Sequence, residues 1–338
     1  MTTDLRSDTF TLPTPEMLDS MFKAKVGDDV FGEDPTINKL EAITADMFGM
    51  EAAIFCPSGT MTNQIAIKCH TQPGEEVICE KLSHVYIYEG GGIALNSGCQ
   101  VNPIIGDRGR ITADQVVENI NPIHDYKAIT RLVSIENTTN RGGGSCYDFE
   151  NIVAIKDVCL QHKLSFHMDG ARLWNAMVKK NESPKQYGEI FDSISICLSK
   201  GLGAPVGSLL LGNKAFIQKA RRIRKVFGGG MRQAGYLAAA GIYALENNIA
   251  RLKEDHEHAH EIGAALKKKS FIGNVLPIET NIVIFDVLAP YTTESFAALL
   301  ETKQILVMPI SSTQVRMVTH FGVTAAQVKQ MINFINEI

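Results

Sequence analysis

What this 338-residue sequence lacks already excludes several classes of protein. No apolar run approaches the ~20 residues that a membrane-spanning helix needs, and one of the longest, "NIVIF", stops at Asp286. The first residues, "MTTDLRSDTF", carry acids where an export signal has a basic and then an apolar segment. The net charge of −4 argues against a protein dominated by binding to nucleic acids or acidic membranes. We therefore expect no membrane partner, no nucleic-acid partner and no export.

The cysteines show no pattern. The seven cysteines are an odd number, and no two of them form a C-x-x-C pair. A disulfide framework generally needs an even number of cysteines, and structural zinc generally needs close pairs of them. The sequence thus predicts reduced thiols, a cytoplasmic location and no metal ion.

The distribution of apolar residues predicts the fold class. Hydrophobic residues make up 45% of the chain and charged residues 21%, which is typical of a globular protein with a sizeable core. Within residues 51–212, amphipathic helical segments alternate with short runs that we interpret as buried strands: "AAIFCPS", "EVIC", "RLVSIEN", "LSFHMD", "SISICL" and "VGSLLLG". This alternation predicts an α/β domain with a mostly parallel sheet that is covered on both faces.

The flanking segments predict the remaining organisation. Two helices, "PEMLDSMFKAKV" and "TINKLEAITADMFG", are expected near the N-terminus, and one long helical region is expected over residues 232–269. Beyond it, "NIVIFDV", "ILVMPI" and "QVRMVTH" predict strands, and "TTESFAALLETK" and "AAQVKQMINFINEI" predict helices. We therefore expect a large domain over residues 1–250, with an N-terminal helical segment, and a small C-terminal α+β domain over residues 251–338.

Ligand sites in such sheets collect at the carboxyl ends of the strands, so the residues that follow each strand are candidates. After "AAIFCP", Ser58, Gly59 and Thr60 open a helix whose amide groups can bind an anion, although a plain serine cap is the simpler interpretation. Asp169 ends "LSFHMD", where a buried carboxylate needs a cation or several donors. Capping of the next helix explains this aspartate equally well.

Lys200 follows "SISICL" and precedes a glycine-rich loop that matches neither common nucleotide-binding pattern. Gly201, Gly203 and Gly207 have the wrong spacing for G-x-G-x-x-G, and the lysine stands before the loop instead of after it. An amine, a carboxylate and an anion cup at one edge are what pyridoxal 5'-phosphate (PLP) needs for its aldehyde, ring nitrogen and phosphate. His84, after "EVIC", can stack on such a ring or carry a proton.

Several long strings then resemble the L-threonine aldolase family, a branch of the aspartate-aminotransferase-like, fold-type-I PLP enzymes. They are "DLRSDT", "VGDDVFGEDPT", "PSGTMTNQIA", "ENTTN", "HMDGARLWNA", "CLSKGLGAPVGSLLLG" and "RKVFGGGMRQAGYLAAA", in the family's order, with "VRMVTHFGVT" near the end. The resemblance implies a large domain built on a mostly parallel seven-stranded sheet. It also implies retro-aldol cleavage of L-threonine, L-allo-threonine and related β-hydroxy-α-amino acids to glycine and an aldehyde.

The family pattern implies roles for individual residues. Lys200 becomes the Schiff-base lysine, Asp169 the partner of the ring nitrogen, and His84 the residue stacked on the ring. The implied cofactor-binding set is Ser58, Gly59, Thr60, His84, Asp169, Arg172, Lys200, Lys225 and Arg232, and the implied substrate-binding set is Ser7, Arg172, Arg316 and Tyr126. Lys225 and Arg232 would reach the phosphate bound by a neighbouring subunit, so the implied assembly is a homodimer that shares active sites, within a tetramer.

Proton transfer is expected from His84 with help from Glu89 or His124, which gives the catalytic set Lys200, His84, Glu89 and His124. Two positions depart from the family pattern. Thr139 stands in "ENTTN" where many members have histidine, and Tyr126 stands where another histidine precedes that strand. The sequence thus leaves open which residue touches the β-hydroxyl of the substrate, and with it the threo/allo preference.

Three alternatives also stay open. "HEHAH", from His256 to His260, has the H-E-x-x-H pattern of zinc peptidases, but Leu266 stands where the extended motif needs a third histidine. An amino-acid racemase or a β-eliminating lyase on the same scaffold needs the same cofactor residues. A non-catalytic binding protein would lack the absorbance band of the cofactor.

Overall fold

The structure is a computed structural model and describes residues 2–338. In chain order the strands are β1 (Thr3–Asp4), β2 (Ala52–Cys56), β3 (Glu75–Glu80), β4 (Gln100–Ile104), β5 (Ile129–Glu136), β6 (Ser165–Gly170), β7 (Ser193–Cys197), β8 (Ser208–Gly212), β9 (Ile272–Val275), β10 (Ile282–Val287), β11 (Ile305–Leu306), β12 (Met308–Pro309) and β13 (Gln314–Val318). The α-helices are α1 (Pro15–Phe22), α2 (Pro35–Phe48), α3 (Gly59–His70), α4 (His84–Ile87), α5 (Ala113–Asn119), α6 (Phe149–His162), α7 (Leu173–Lys180), α8 (Pro184–Ile190), α9 (Lys214–Val226), α10 (Gly235–Asn247), α11 (Leu252–Leu266), α12 (Thr293–Glu301) and α13 (Ala325–Glu337). No helix within residues 2–338 is long and apolar enough to cross a membrane.

A seven-stranded sheet lies at the centre of residues 52–212, in the order β2-β8-β7-β6-β5-β3-β4. Strand β8 runs antiparallel to both of its neighbours, and the other pairs are parallel. Alternate side chains of β2 reach opposite faces, so that Ala53 and Phe55 pack with α2 and α10, whereas Ile54 and Cys56 pack with α3 and α9. Helices therefore cover both faces of the sheet, as the alternating pattern predicts.

Local sequence signals determine where the helices begin and end. Helix α2 follows Asp34, whose carboxylate accepts from two backbone amides at 3.0 Å, and it ends at Gly49 with a φ of 63°. Helix α3 follows Ser58, whose Oγ accepts from the Met61 amide at 3.2 Å. These caps pair groups that a helix end leaves without a partner. They also fix the start of α3 beside the carboxyl end of β2.

The C-terminal part of the chain forms a four-stranded antiparallel sheet in the order β12-β13-β10-β9. Helices α11, α12 and α13 pack on it through an apolar cluster that includes Phe285, Phe296 and Met331. Leu5 is buried in the same cluster, and β1 pairs in parallel with β11. The first strand of the chain therefore lies among the C-terminal elements. The expected domain boundary at residue 250 stays a prediction.

Two parts of the fold differ from the sequence-based expectation. The single helix expected over residues 232–269 is two helices, α10 and α11, with a break between them. The side-chain amide of buried Asn248 donates to the Leu202 carbonyl at 2.8 Å, which ties this break to the loop after Lys200. Strand β4 has no clear sequence signal, because this half-buried edge strand contains Asn102 and Pro103.

Candidate active site

Five polar residues follow strands of the large sheet at one edge. Ser58 follows β2, His84 follows β3, Glu136 ends β5, Asp169 lies near the end of β6, and Lys200 follows β7. Because these five strands run in the same direction, their carboxyl ends meet at one edge of the sheet. The fold therefore brings together residues that are far apart in the sequence.

Asp169 is buried, with 2% of its surface exposed, and its carboxylate is held by neutral donors. Asn63 Nδ2 donates to its Oδ2 at 3.0 Å, and the Ala171 amide donates to its Oδ1 at 3.2 Å. Neither donor is charged, so these contacts leave the negative charge of Asp169 unneutralised. A buried carboxylate of this kind suits a protonated ring nitrogen.

His84 and Glu89 form an acid–base pair beside Asp169. His84 Nδ1 lies 2.9 Å from Glu89 Oε1, and ligand atoms of His84, Glu89 and Asp169 all lie within 4.8 Å of one another. Glu89 also accepts from Asn63 at 2.9 Å and from Gln64 at 2.7 Å. Burial by itself lowers the pKa of His84, but the hydrogen bond that its ring donates to Glu89, with the charges of Asp169 and Glu89, outweighs burial and raises it.

Lys200 reaches the same edge from a tight loop. Its Nζ lies 3.7 Å from Cys197 Sγ, and its carbonyl accepts from the Gly203 amide at 2.8 Å. Gly207 has a φ of 125°, and a Cβ at this position would lie 2.5 Å from the ring of Phe55, so only glycine fits. The loop leaves the amine half-buried, with a thiol as its hydrogen-bond partner.

The first turn of α3 lies against the end of β7. A Cβ on Gly59 would lie 2.7 Å from Cys197 Sγ, which shows how closely this helix terminus approaches the strand that leads to Lys200. Ser58 caps the helix, and Thr60 is exposed. The first amides of a helix have no partner within the helix and, with the helix dipole, favour anions. The structure thus places the predicted anion cup near Lys200.

Two buried arginines lie on either side of Asn140. Arg172 binds Asp8 through Nε and Nη2, both at 2.7 Å, and Arg316 Nη1 donates to Asn140 Oδ1 at 2.9 Å. Burial, and then the charge of Arg172, lower the pKa of Arg316 to about 10, so this arginine stays charged near neutral pH. Its buried Nε has no hydrogen-bond partner within residues 2–338. A carboxylate bound here would provide one.

Asp8 is a residue of this site that the sequence reasoning missed. It is fully buried, and burial by itself raises its pKa, but the charge of Arg172 and the hydrogen bonds from Arg172, with smaller effects of Lys200 and Asn281, together lower the pKa to about 2. The predicted Ser7 lies one residue earlier, where its Oγ accepts from the Thr9 amide at 3.2 Å. An acid beside the predicted serine in "DLRSDT" is the only signal that could have identified it.

Asn63, Glu136 and Asn140 were also missed. Glu136 accepts from the backbone amides of His84 at 2.8 Å and Asn140 at 2.7 Å. Burial, and then the charge of Asp169, raise the pKa of Glu136 to about 7. The rule that residues at strand ends carry function identifies Glu136 when it is applied to "RLVSIEN". Asn63 lies inside a helix, where no comparable rule applies.

Within one chain, the structure does not bring His124 and Tyr126 to the edge of the sheet that carries the site. They lie just before β5, their rings stack with centroids 5.2 Å apart, and Tyr126 is 80% exposed. The eight residues of β5 span about 26 Å, so the two rings are at the opposite edge of the sheet from Glu136. Their assignment to catalysis and substrate binding stays a prediction, and it requires a neighbouring subunit.

Lys225 and Arg232 make their contacts at the surface, with residues other than the predicted site residues. Arg232 Nη1 donates to Asp28 Oδ2 at 2.9 Å, and Lys225 lines a surface cleft of about 740 Å³ together with Phe31 and Val226. Their predicted role, binding a phosphate held by a second subunit, is not tested by a single chain and stays a prediction.

The "HEHAH" stretch lies on α11. His256 is buried, and its Nε2 lies 3.0 Å from Asn175 Oδ1, whereas His260 is exposed. Among the described residues, the one group of metal-binding type is His84, Glu89 and Asp169, which lies in the site above. The geometry therefore does not favour the zinc-peptidase alternative.

Comparison with known proteins first identifies the class. A family model described as beta-eliminating lyase matches residues 4–289, which is most of the chain. The solved structure of Leishmania major threonine aldolase superposes with a TM-score of 0.86 at 21% identity, covering 99% of both chains. The structure of SPT with a PLP internal aldimine superposes with a TM-score of 0.75 at 17% identity, covering 99% of this chain and 87% of the other. The aspartate-aminotransferase-like, fold-type-I architecture predicted from the sequence is therefore confirmed.

The branch within that class follows from the sequence. The low specificity L-threonine aldolase of Escherichia coli K12 is 42% identical over 332 residues, which cover 97% of this chain and 96% of that protein. The chain belongs to the beta-eliminating lyase family, and within it to the low-specificity L-threonine aldolases. The resemblance predicted from the motifs is confirmed.

Proposed function

We propose that this protein is a PLP-dependent aldolase that cleaves L-threonine, L-allo-threonine and related β-hydroxy-α-amino acids to glycine and an aldehyde. The observation that carries the proposal is the convergence of Asp169, the His84–Glu89 pair and Lys200 beside the N-terminus of α3. The 42% identity to the E. coli enzyme along nearly the whole chain supports the same conclusion.

The residues present fit PLP. Asp169 receives only neutral donors from the chain, so it can hold a protonated ring nitrogen. Gly59 keeps the first amides of α3 accessible to a phosphate, and the Lys200 amine is free to react with an aldehyde. Bound PLP supplies an electron-withdrawing ring that takes up the electron pair released when the bond between Cα and Cβ breaks.

The chain's own groups bind and orient the substrate and move its protons. Arg316, with Arg172 beside it, holds the carboxylate and thereby fixes the direction of the Cα–Cβ bond. His84 takes the proton from the β-hydroxyl, and Glu89 stabilises the imidazolium that forms. Asp169 keeps its negative charge next to the ring nitrogen in a buried site, where such a charge acts strongly.

Replacing Lys200 tests the proposal directly. We expect Lys200→Ala to lose the visible absorbance band of bound PLP and to release acetaldehyde and glycine from L-threonine more than about 1,000-fold more slowly. Lys23→Ala, at the exposed residue that follows α1, is the matched control and should behave as wild type. Turnover that survives in Lys200→Ala would refute the assignment. Loss of optical activity from L-alanine without aldehyde release would favour the racemase alternative.

We also propose that the protein is a cytoplasmic homo-oligomer, a dimer that shares active sites within a tetramer. Exposed apolar side chains support this: Phe22 is 84% exposed, Phe31 is 74% exposed, and Val226 is 79% exposed. Phe31 and Val226 line the cleft that contains Lys225. All seven cysteines are buried and unpaired, which fits a reducing compartment.

Mixing two inactive variants tests the shared site. If Lys225 serves the partner's phosphate, subunits of Lys200→Ala and Lys225→Ala that are unfolded and refolded together should recover part of the activity, because each mixed dimer contains one intact site. The same variants refolded separately are the control. Mixtures that stay inactive while light scattering reports dimers or tetramers would contradict site sharing.

A further inference from the structure

A line of polar side chains, buried except for the half-buried His70 at one end, runs beneath α3 from its last turn to the active site. On the sheet, His167 and Asp169 of β6 share one face, and Ser193 of β7 is paired with His167 in register. Asn63 and His70 of α3 face them. Buried polar groups lower the stability of the fold unless each of them has a hydrogen-bond partner. The partners of these side chains therefore need to be identified.

Consecutive hydrogen bonds join these side chains. His70 Nε2 lies 2.7 Å from Ser193 Oγ, and Ser193 Oγ lies 2.8 Å from His167 Nδ1. His167 Nε2 lies 3.2 Å from Asn63 Oδ1. Asn63 Nδ2 then donates to Glu89 Oε1 at 2.9 Å and to Asp169 Oδ2 at 3.0 Å. The line ends on the two carboxylates of the proposed cofactor site.

The carboxylates fix the direction of every bond in this line. Because carboxylate oxygens only accept, the amide nitrogen of Asn63 must face Glu89 and Asp169, and its oxygen must face His167. His167 therefore carries its proton on Nε2, and its Nδ1 accepts from the hydroxyl of Ser193. That hydroxyl in turn accepts from His70 Nε2. All the bonds donate toward the active site, so they strengthen one another.

Both histidines are held neutral by their surroundings. Burial lowers the pKa of His167 to about 3 and that of His70 to about 4. A neutral histidine has one donor and one acceptor, which is the combination that this line of hydrogen bonds requires.

We propose that His167 is a positioning residue: held in its Nε2–H tautomer by Ser193, it fixes Asn63 so that one amide bridges Glu89 and Asp169. This bridge joins the partner of His84 to the partner of the ring nitrogen. The significance of the two carboxylates rests on the proposed function, whereas the tautomer itself does not depend on it.

Two amide substitutions of His167 test whether its hydrogen bond to Asn63, and not merely the presence of a side chain that fills the space, is required. The side-chain nitrogen of glutamine can occupy the place of histidine Nε2, and that of asparagine the place of Nδ1. His167→Gln therefore keeps a donor to Asn63 Oδ1, whereas His167→Asn removes it and leaves a buried acceptor unpaired. We expect His167→Gln to bind PLP nearly as tightly as wild type, and His167→Asn to bind it between about 5-fold and 100-fold more weakly. Binding is measured by absorbance titration of the apoprotein.

His256→Gln and His256→Asn are the matched controls, because His256 pairs with Asn175 in the same way but contacts neither carboxylate. Both should bind PLP as wild type does. Equal PLP affinity of His167→Gln and His167→Asn would overturn the proposal.

A measurement on the wild-type apoprotein covers the case in which the variants do not fold. With histidines labelled with ¹⁵N, long-range ¹H–¹⁵N correlation should show the imidazole of His167, assigned by its NOE to the side-chain amide of Asn63, protonated on Nε2 from about pH 5 to about pH 9. Protonation on Nδ1 would refute the inference. A wild-type protein that binds no PLP but shows the Nε2–H tautomer would refute the proposed function alone.

Discussion

At the scale of single residues, the site concentrates negative charge around one histidine. Glu89, Glu136 and Asp169 all contact or lie beside His84. Burial and the charge of Asp169 raise the pKa of Glu136 to about 7, well above its ordinary value of 4.5. A carboxyl group whose pKa is raised on folding costs stability as the pH rises from 4.5 towards 7. The arrangement therefore favours function over stability, as is common at active sites.

Glu89 sets the basicity of His84, which makes the pH dependence testable. Without the carboxylate, burial dominates, so Glu89→Gln should lower the pKa of His84. Since His84 acts as a base in its neutral form, the acidic limb of the kcat/KM profile should move to lower pH. The maximum should fall at least about 10-fold, because a weaker base is a poorer proton acceptor.

The measurement is kcat/KM for L-threonine across the pH range, with Glu118→Gln as the control because Glu118 is exposed on α5. An acidic limb that does not move in Glu89→Gln would assign the titration to another group.

At the scale of elements, the contact between α3 and β7 shapes the proposed phosphate cup. Gly59 is the first residue of α3, and its missing side chain lets the helix terminus approach Cys197. Three residues beyond Cys197 the chain presents Lys200. One close contact thus sets the distance between the helix amides and the amine.

Filling this contact should weaken PLP binding. A Cβ in Gly59→Ala would lie 2.7 Å from Cys197 Sγ, so the start of α3 must shift. We expect the binding free energy of PLP to fall by about 1–3 kcal/mol, the usual cost of overpacking. Gly59→Ala combined with Cys197→Ala should recover most of the affinity, because the second change removes the sulfur. Affinity titrations that show no recovery would mean that the defect is in the backbone of the helix.

The helices and strands also show how much of the fold and of the site the sequence alone predicts. Strands β2, β3, β5, β6, β7 and β8 are predictable because their apolar runs have the length of strands and alternate with amphipathic helical segments, and the strand-end rule then identifies Asp169 and Lys200. Edge strand β4 and the break after α10 escape prediction because they depend on tertiary partners, such as the bond from Asn248 to Leu202. Asn63 escapes for the same reason, since only the folded chain brings its amide to two distant acids.

At the scale of the whole molecule, residues 5–8 join the two sheets. Leu5 is fully buried in the C-terminal cluster, and its carbonyl accepts from the Val318 amide at 2.8 Å. The next carbonyl, that of Arg6, accepts from Arg316 Nη2 at 3.1 Å, and Asp8 binds Arg172. The proposed carboxylate site therefore combines residues 6–8 and Arg316 with Asn140 and Arg172 of the central sheet region.

Leu5→Ala should thus affect both stability and substrate binding. The cavity should lower the free energy of unfolding by about 2–5 kcal/mol. KM for L-threonine should rise more than kcat falls, because the packing of Leu5 holds the neighbouring Arg6 carbonyl in the position where it accepts from Arg316. Leu12→Ala, at a position that is 79% exposed, should change neither quantity. Urea unfolding and steady-state kinetics provide the measurements. A destabilised variant with an unchanged KM would show that the packing of Leu5 does not support substrate binding.

The pairing of β1 with β11 also has a consequence for biosynthesis. Thr3 meets Ile305 on the order of 300 residues later in the chain, and such distant pairings are the slowest to form. Strand β1 is synthesised long before β11, so it has no strand to join until residues 305–306 have been made. Nascent chains that stall before residue 305 should therefore expose Leu5 to chaperones and proteases, however well their central sheet has already formed.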